Sequence, residues 1–348
     1  MVLYLAALLA IMLFSAKYHS KAFNREYLSV EHTQNIKGIF VFLVIATHFV
    51  RYNSFSGIYH DLYFRFRSYM DQLIVVPFLF YSGYGIAQAI QKKGKPYLRA
   101  FPRTRILSTY LQFFVVVLLY LLFRYSLGNR YSYKQIILAF TGYQSLGNGS
   151  WYVFTILFLY GLTWLSFSLF FKHESAALCA VTVGTAAYIL GMRQLVNPYF
   201  YNTAMCYAAG CWFSRYKAHY ERFVLRSRTR YYIVCILCII LFFLSHHFCQ
   251  QSLALYEANS VLLALLLVLL SSTIQLRSPF LQYCGKHVFS LYILHHIPMI
   301  LLQFTPLSKY WFVHLLSSLI LAFLMSWLFD RYIARYIHRF CKSSNKPA

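Results

Sequence analysis

The chain has 348 residues and a formal net charge of +24, yet 60% of its residues are hydrophobic and only 11% are charged. Its mean hydropathy is +0.54. These values exclude an ordinary soluble domain and are typical of a protein that crosses a membrane several times. They also argue against a nucleic-acid-binding protein, because the Lys and Arg residues are spread over the loops between apolar segments and act first as topology signals.

Apolar segments recur along the whole chain. About eleven are long enough to be predicted as spans, so the expected fold class is all-α, a polytopic membrane bundle of about 10–11 transmembrane helices. We divide the chain into residues 1–30, an additional N-terminal transmembrane helix with a basic linker; residues 31–335, a membrane core; and residues 336–348, a basic cytoplasmic tail.

The distribution of basic residues predicts the orientation of the chain. With the N-terminus outside and the C-terminus inside, the inside loops hold about three times as many Lys and Arg residues as the outside loops. This orientation places Lys37 and the basic residues near 92–105 on the cytoplasmic face. The two longest outside loops, near 53–71 and 124–150, are rich in Tyr, Asn, Ser and Gly, which suits a polar ligand with hydroxyl groups.

The first candidate functional residue is His48, which follows Lys37 in a mostly apolar segment. On a helix these residues are separated by about 16 Å, roughly half the thickness of a bilayer core. An ionisable residue at that depth is a functional-site candidate. We predict that His48 is a general base that removes a proton from a hydroxyl group. The alternative is a structural histidine that is hydrogen-bonded to a neighbouring helix.

The next candidates are two small residues and two arginines. Ser82 and Gly83 lie in an apolar segment, where they allow helices to pack closely or leave room for a thin ligand arm. Arg103 and Arg105 precede a predicted helix at the membrane boundary. They are either positive-inside anchors or a pair of guanidinium groups that bind the phosphates of a cytoplasmic cofactor.

Three further candidates lie in the second half of the chain. Glu257 is the only carboxylate placed within a predicted span, where it can orient a histidine, accept a proton or lie near the outer interface. His295 and His296 are followed by Pro298. Because adjacent residues point to different faces of a helix, we expect one of these histidines to face the bundle interior and predict no shared metal site. We select His295 as the catalytic candidate.

Five blocks of residues occur in the order and spacing of the acyltransferase 3 family, which are integral membrane enzymes and often O-acetyltransferases of bacterial surface polysaccharides. The sequence resembles this family over roughly residues 30–330. The blocks are Lys37-Gly38 with His48, Pro77 with Ser82-Gly83-Tyr84, Arg103-Thr104-Arg105, Ser150-Trp151-Tyr152, and the segment from Gly285 to His295.

The resemblance implies an acyl donor, usually acetyl-CoA, that is reached from the cytoplasm, and an acceptor on the far side of the membrane. Lys37 and His48 match the spacing of a basic residue and a histidine in the first core helix of the family, although the family usually has Arg at the first position. Arg103 and Arg105 are the closest match to an Arg-x-x-Arg pattern of the family. The predicted catalytic residues are His48, Glu257 and His295, and the predicted cofactor-binding residues are Lys37, Arg103, Arg105, Ser82 and Gly83.

The predicted function is therefore a membrane-bound O-acyltransferase that moves an acetyl group from acyl-CoA to a hydroxyl of a cell-surface or exported polysaccharide. The expected location is the bacterial cytoplasmic membrane, with multiple crossings and a cytoplasmic C-terminus. Some family members carry a hydrolase-like domain that completes transfer, so this chain is expected to act alone or with an extracytoplasmic acyl-transfer partner. The alternative is a transporter or flippase for a glycan or lipid-linked precursor, which the same basic loops and buried histidine would serve.

Overall fold

The fold is described by a computed structural model that covers residues 1–343, apart from the side chains of Tyr59 and Ser343. The last residues of the predicted basic tail, including Lys346, lie outside the described residues. The predicted all-α class is confirmed. The α-helices of residues 1–343 are α1 Val2–Ser15, α2 Val30–Phe49, α3 Ile58–Met70, α4 Val76–Phe101, α5 Ser108–Ser126, α6 Tyr133–Thr141, α7 Trp151–Leu169, α8 Glu174–Met192, α9 Met205–Phe223, α10 Arg228–Phe248, α11 Leu253–Ser271, α12 Pro279–Lys286, α13 Val288–Leu294, α14 His296–Gln303, α15 Trp311–Leu328 and α16 Arg335–Ser343.

Shorter elements interrupt and join these helices. Two π-helical turns, Pro102–Leu107 and Phe329–Ala334, lie directly before α5 and between α15 and α16. Two short strands, β1 Ala16–Tyr18 and β2 Ile274–Leu276, pair in antiparallel register. Three 3-10 helices complete the described part of the chain and are Asp71–Val75, Pro198–Phe200 and Pro306–Lys309.

Six helical stretches of the described residues are long and apolar enough to cross a membrane. One of them, His60–Ser126, has 67 residues. At about 1.5 Å per residue it would be roughly three times longer than a bilayer core is thick, so it cannot be one straight crossing. The backbone leaves the helical conformation within α4 at Gly94, with φ 62° and ψ −146°. The protein is a multi-pass membrane protein.

The count of about 10–11 crossings remains a prediction. Two further apolar helical segments, Val2–Ser15 and Val288–Gln303, are shorter than the six. Helix α2, which carries Lys37 and His48, is not among the six, because its first half is polar.

The chain divides into two compact units. The first comprises Met1–Phe40, Tyr59–Tyr97 and Leu165–Lys286. Its helices approach closely at glycines: a Cβ added at Gly83 of α4 would collide with the backbone carbonyl of Tyr207 in α9. Small residues at helix contacts of this kind are a regular feature of membrane bundles.

The second unit comprises Val41–Ile58, Leu98–Trp164 and His287–Ala348. Within it the fully buried Tyr120 of α5 donates a hydrogen bond from its hydroxyl to the carbonyl of Ile293 in α13, over 3.0 Å. The bond ties α5 to the end of α13, two residues before His295.

Candidate active site

Three histidines of the second unit form one cluster. His48 lies in the last turn of α2, and His295 and His296 lie where α13 meets α14. Nδ1 of His48 is 2.8 Å from Nε2 of His295. The His296 ring centroid lies 4.6 Å from that of His48 and 4.3 Å from that of His295. His295 and His296 are buried, whereas His48 is only half-buried.

The rings of His48 and His295 meet edge to edge. Their planes differ by 3° and their centroids are 5.0 Å apart. With a nitrogen–nitrogen distance of 2.8 Å, this arrangement is an in-plane hydrogen bond and not a face-to-face stack.

The hydrogen-bond network assigns the protons of this pair. Nδ1 of His295 is 3.2 Å from the carbonyl oxygen of Leu291, which can only accept, so Nδ1 of His295 carries a hydrogen. In a neutral ring Nε2 of His295 is then the acceptor, and Nδ1 of His48 donates to it. The remaining nitrogen of His48, Nε2, therefore carries a lone pair and can act as a base.

Both His295 and His296 are buried, so the expectation that one of them faces the bundle interior and the other a different face is wrong. Helix α13 ends at Leu294 and α14 begins at His296, and His295 between them keeps a right-handed helical backbone with φ −60° and ψ −22°. Pro298 follows in the first turn of α14 and has no backbone N–H to offer Leu294. Both rings lie beside that of His48.

The cluster also has the composition of a metal site. One ring nitrogen from each of His48, His295 and His296 lies within 4.8 Å of the others. The His48–His295 distance is that of a hydrogen bond, however, and Nδ1 of His296 lies 2.8 Å from the hydroxyl of Tyr52. These nitrogens are therefore hydrogen-bonded to protein groups. The absence of a metal remains a prediction.

Positive charge lies beside the cluster. Arg51 and Arg124 both act electrostatically on His296. Nε of Arg124, in the last turn of α5, donates a 3.0 Å hydrogen bond to the carbonyl of Leu146. Arg124 thereby supports the segment that precedes α7, which we call the 146–149 loop.

The 146–149 loop lies against His48. Gly149 has φ +60°, and its carbonyl accepts a 2.6 Å hydrogen bond from the hydroxyl of Tyr292. A Cβ added at Gly149 would lie 3.0 Å from that hydroxyl oxygen and 4.0 Å from Cε1 of His48. Only glycine combines this left-handed backbone with such a close approach.

The predicted cofactor residues Arg103 and Arg105 lie in the π-helical turn before α5. Helix α16 lies beside this turn: the Arg103 guanidinium is 5.6 Å from the ring centroid of Phe340. Arg105 and Lys342 both act electrostatically on His338. The C-terminal helix thus adds basic groups to the region where the phosphates were predicted. π-Helical turns occur frequently at functional sites.

The predicted residues of the first unit have contacts that stabilise helices. Gly83 packs against the backbone of Tyr207, and Ser82 is half-buried beside it. Glu257 is 7% exposed, and its Oε2 accepts a 3.1 Å hydrogen bond from the backbone N–H of Met205, the first residue of α9. A carboxylate at a helix N-terminus is a stabilising cap.

Lys37 is also half-buried in the first unit, on the same helix as His48. The next residue is Gly38, at which an added Cβ would collide with the carbonyl of Leu281. A cofactor role for Lys37, Ser82 and Gly83 and a catalytic role for Glu257 remain predictions.

A family model described as an acyltransferase domain matches residues 34–331. The chain belongs to the acyltransferase 3 family. The resemblance predicted from the sequence is confirmed, and this membrane protein is an acyltransferase. No curated protein and no solved structure matches the chain.

Several residues of the candidate site were not found from the sequence. Tyr52 lies four residues after His48, a spacing that would place it on the same helix face, so its spacing was a usable signal. Pro298, in the first turn of α14, signalled the boundary between α13 and α14 beside His296. For Arg124 and the 146–149 loop, the chain offers only a basic residue at the end of a span and a glycine-rich loop, which are common features of membrane proteins.

Proposed function

We propose that this acyltransferase moves an acetyl group from acetyl-CoA to a hydroxyl group of a cell-surface or exported polysaccharide, in the cytoplasmic membrane of a bacterium. The main support is the hydrogen-bond chain from the Leu291 carbonyl through His295 to His48. This chain leaves Nε2 of His48 as a basic nitrogen on a half-buried ring. A base with fixed orientation is what the activation of a hydroxyl group requires.

The proposed reaction begins with proton removal. Nε2 of His48 takes the proton of the acceptor hydroxyl while the hydroxyl oxygen attacks the carbonyl carbon of the thioester. The tetrahedral intermediate collapses when its carbon–sulfur bond breaks. The sulfur leaves as a thiolate and receives the proton from His48, so the products are the O-acetyl ester and free CoA. His295 would stabilise the imidazolium form of His48 by accepting its Nδ1 hydrogen bond.

The donor is proposed to bind from the cytoplasmic side. Arg103 and Arg105 would bind its phosphates, since guanidinium groups form bidentate hydrogen bonds with phosphate oxygens. The basic residues of α16, which lie beside them, would raise the local concentration of an anionic ligand. The C-terminus is accordingly proposed to be cytoplasmic.

The test uses membranes from cells that express the wild type, His48→Ala or His247→Ala. His247 is an exposed histidine of the first unit and serves as a matched control. Each membrane receives acetyl-CoA labelled in the acetyl group, and label in the polysaccharide fraction is counted. We expect His48→Ala to lower the rate about 100- to 10,000-fold, the usual contribution of a general base, and His247→Ala to resemble the wild type.

The outcomes separate the parts of the proposal. Equal labelling by wild type and His48→Ala would remove His48 from the chemistry. If labelling did not depend on the chain at all, the donor or the acceptor would be wrong, and longer acyl-CoA donors and lipid acceptors would be tried next. NMR spectra of polysaccharide from a deletion strain and its parent would identify the sugar and the hydroxyl position by a missing acetyl signal.

A further inference from the structure

Asn148, in the 146–149 loop, has a hydrogen-bonding arrangement that the fold does not explain. Its side chain is fully buried. Oδ1 of Asn148 accepts a 3.0 Å hydrogen bond from the hydroxyl of Ser145. The amide nitrogen, Nδ2, has no partner among the described residues.

The orientation of this amide group is fixed by its surroundings. Oγ of Ser145 accepts hydrogen bonds from the backbone N–H groups of Gly147 and Asn148, over 3.0 and 3.1 Å. The hydroxyl hydrogen of Ser145 is therefore the one that bonds Oδ1 of Asn148. An amide flipped by 180° would place its NH₂ group against that hydroxyl and lose the bond.

A buried donor without a partner lowers the stability of the folded protein, because the group has lost its hydrogen bonds with water. Such groups are rare in native proteins, and each one calls for an explanation. Asn148 adds no stabilising bond through Nδ2, so folding gives no reason for a donor at this position. Enzymes, however, use hydrogen-bond donors that are fixed in advance to stabilise negative charge that develops only in the transition state.

The position of Asn148 suits this role. The neighbouring residue, Gly149, approaches Tyr292 and His48, and its added Cβ would be 4.0 Å from Cε1 of His48. Since adjacent Cα atoms are about 3.8 Å apart, the Cα of Asn148 lies within roughly 10 Å of the His48 ring. A reacting group that is hydrogen-bonded to both side chains would separate Nδ2 of Asn148 from Nε2 of His48 by about 7–8 Å, and the Cα position of Asn148 is near enough to the ring to allow that separation.

We propose that Asn148 is a catalytic residue whose Nδ2 donates a hydrogen bond to the oxyanion of the tetrahedral intermediate. This inference rests on the proposed acyl transfer at His48. As the acceptor oxygen attacks, the carbonyl double bond of the thioester opens and its electron pair moves onto oxygen, which then accepts the Asn148 hydrogen bond. When the carbon–sulfur bond breaks, the carbonyl re-forms and this hydrogen bond weakens. Ser145 is the positioning residue for the amide.

The test compares the acetyl-transfer rates, the KM for acetyl-CoA and the melting temperatures of the wild type, Asn148→Ala, Asn148→Asp and Ser145→Ala. Asn197→Ala is the control, since Asn197 is an exposed asparagine of the first unit. For Asn148→Ala we expect kcat to fall about 100- to 1,000-fold, the usual cost of removing one oxyanion donor, with the KM for acetyl-CoA unchanged.

Two further readouts distinguish catalysis from structure. Asn148→Ala should melt close to the wild-type temperature, because the loss of the hydrogen bond from Ser145 is offset by the removal of a buried donor that has no partner among residues 1–343. Asn148→Asp keeps the size of the side chain but replaces the donor with a carboxylate, so its kcat should fall at least as far as that of Asn148→Ala. Ser145→Ala should lower kcat about tenfold, because the donor remains but is no longer held.

The proposal is overturned if Asn148→Ala keeps kcat within about threefold of the wild type while His48→Ala is inactive. It is also overturned if both Asn148 variants lose activity in step with a lower melting temperature, or fail to accumulate in the membrane, because the side chain would then be structural. If the wild type and His48→Ala give the same rate, the proposed function itself fails and this inference falls with it.

Discussion

The candidate residues of the two units are held in different ways. In the second unit, His48 bonds another side chain, His295, and the network leaves it a basic nitrogen. In the first unit, Gly83 packs against the backbone carbonyl of Tyr207 in α9. Glu257 accepts a hydrogen bond from the backbone N–H of Met205, the first residue of α9. These contacts predict different effects of substitution: a loss of activity at His48, and a loss of stability at Gly83 and Glu257.

The largest effect after the loss of His48 itself is expected for His295. His295→Ala removes the acceptor that orients His48, and we expect the acetyl-transfer rate to fall about 100-fold or more, as in other orienting pairs of catalytic residues. His295→Gln offers a side-chain oxygen as acceptor and should recover part of the rate. If His295→Ala kept the wild-type rate, the assigned direction of the hydrogen-bond chain would be wrong.

A smaller loss of activity is expected when the 146–149 loop is pushed away from His48. Gly149→Ala places a non-glycine residue at φ +60°, which costs about 1–2 kcal/mol, and sets its Cβ against the Tyr292 hydroxyl. We expect roughly tenfold slower transfer together with a lower melting temperature. The control is Gly128→Ala. Gly128 has φ +83° but open space around an added Cβ, so this variant has the same backbone strain without a contact to Tyr292. An equal loss of activity in both variants would show that backbone strain alone is responsible.

In the first unit, the packing of Gly83 should affect stability and leave the chemistry unchanged. Gly83→Ala forces α4 away from the Tyr207 carbonyl, and overpacking of this kind costs about 1–3 kcal/mol. We expect a lower melting temperature with an unchanged KM for acetyl-CoA in the protein that remains folded. A raised KM without a loss of stability would instead support the predicted cofactor contact. Gly85→Ala, where the added Cβ meets open space, is the matched control.

The smallest effect is expected for Glu257. Glu257→Gln keeps an oxygen that can accept from the backbone N–H of Met205, so the transfer rate should stay within about threefold of the wild type. Glu257→Ala should lower the melting temperature by loss of the cap, by about 1 kcal/mol in the free energy of unfolding. A large loss of activity in Glu257→Gln would restore the predicted catalytic role of this carboxylate.

Metal removal should have no effect on activity. The three histidines of the cluster could bind a transition metal by their spacing, but two of their nitrogens are joined in a hydrogen bond. Treatment of purified protein with a strong chelator should leave the transfer rate unchanged, and elemental analysis should find no stoichiometric zinc. Loss of activity that zinc restores would replace the proton-transfer mechanism with a metal-assisted one.

The sequence alone determined the class of the fold. Hydropathy is a local property that adds up along a segment, so the apolar stretches identified a helical membrane protein without knowledge of which helices touch. It also determined the family, because ordered blocks such as Lys37…His48 are read along the chain. Two catalytic candidates that the structure brings together, His48 and His295, were found from the same blocks.

Only the tertiary structure decided which atoms meet. The His48–His295 bond joins residues that are far apart in sequence, and its direction depends on a backbone carbonyl, that of Leu291, which no residue type encodes. His296 joins the cluster through the contacts of its ring with those of His48 and His295, and Asn148 stands out only because its donor is buried and has no partner among residues 1–343. Hydrogen bonding and close packing depend on the distances and angles between atoms, whereas a sequence specifies only composition and spacing. The fold class could therefore be predicted from the chain, but the contacts of the site required the three-dimensional structure.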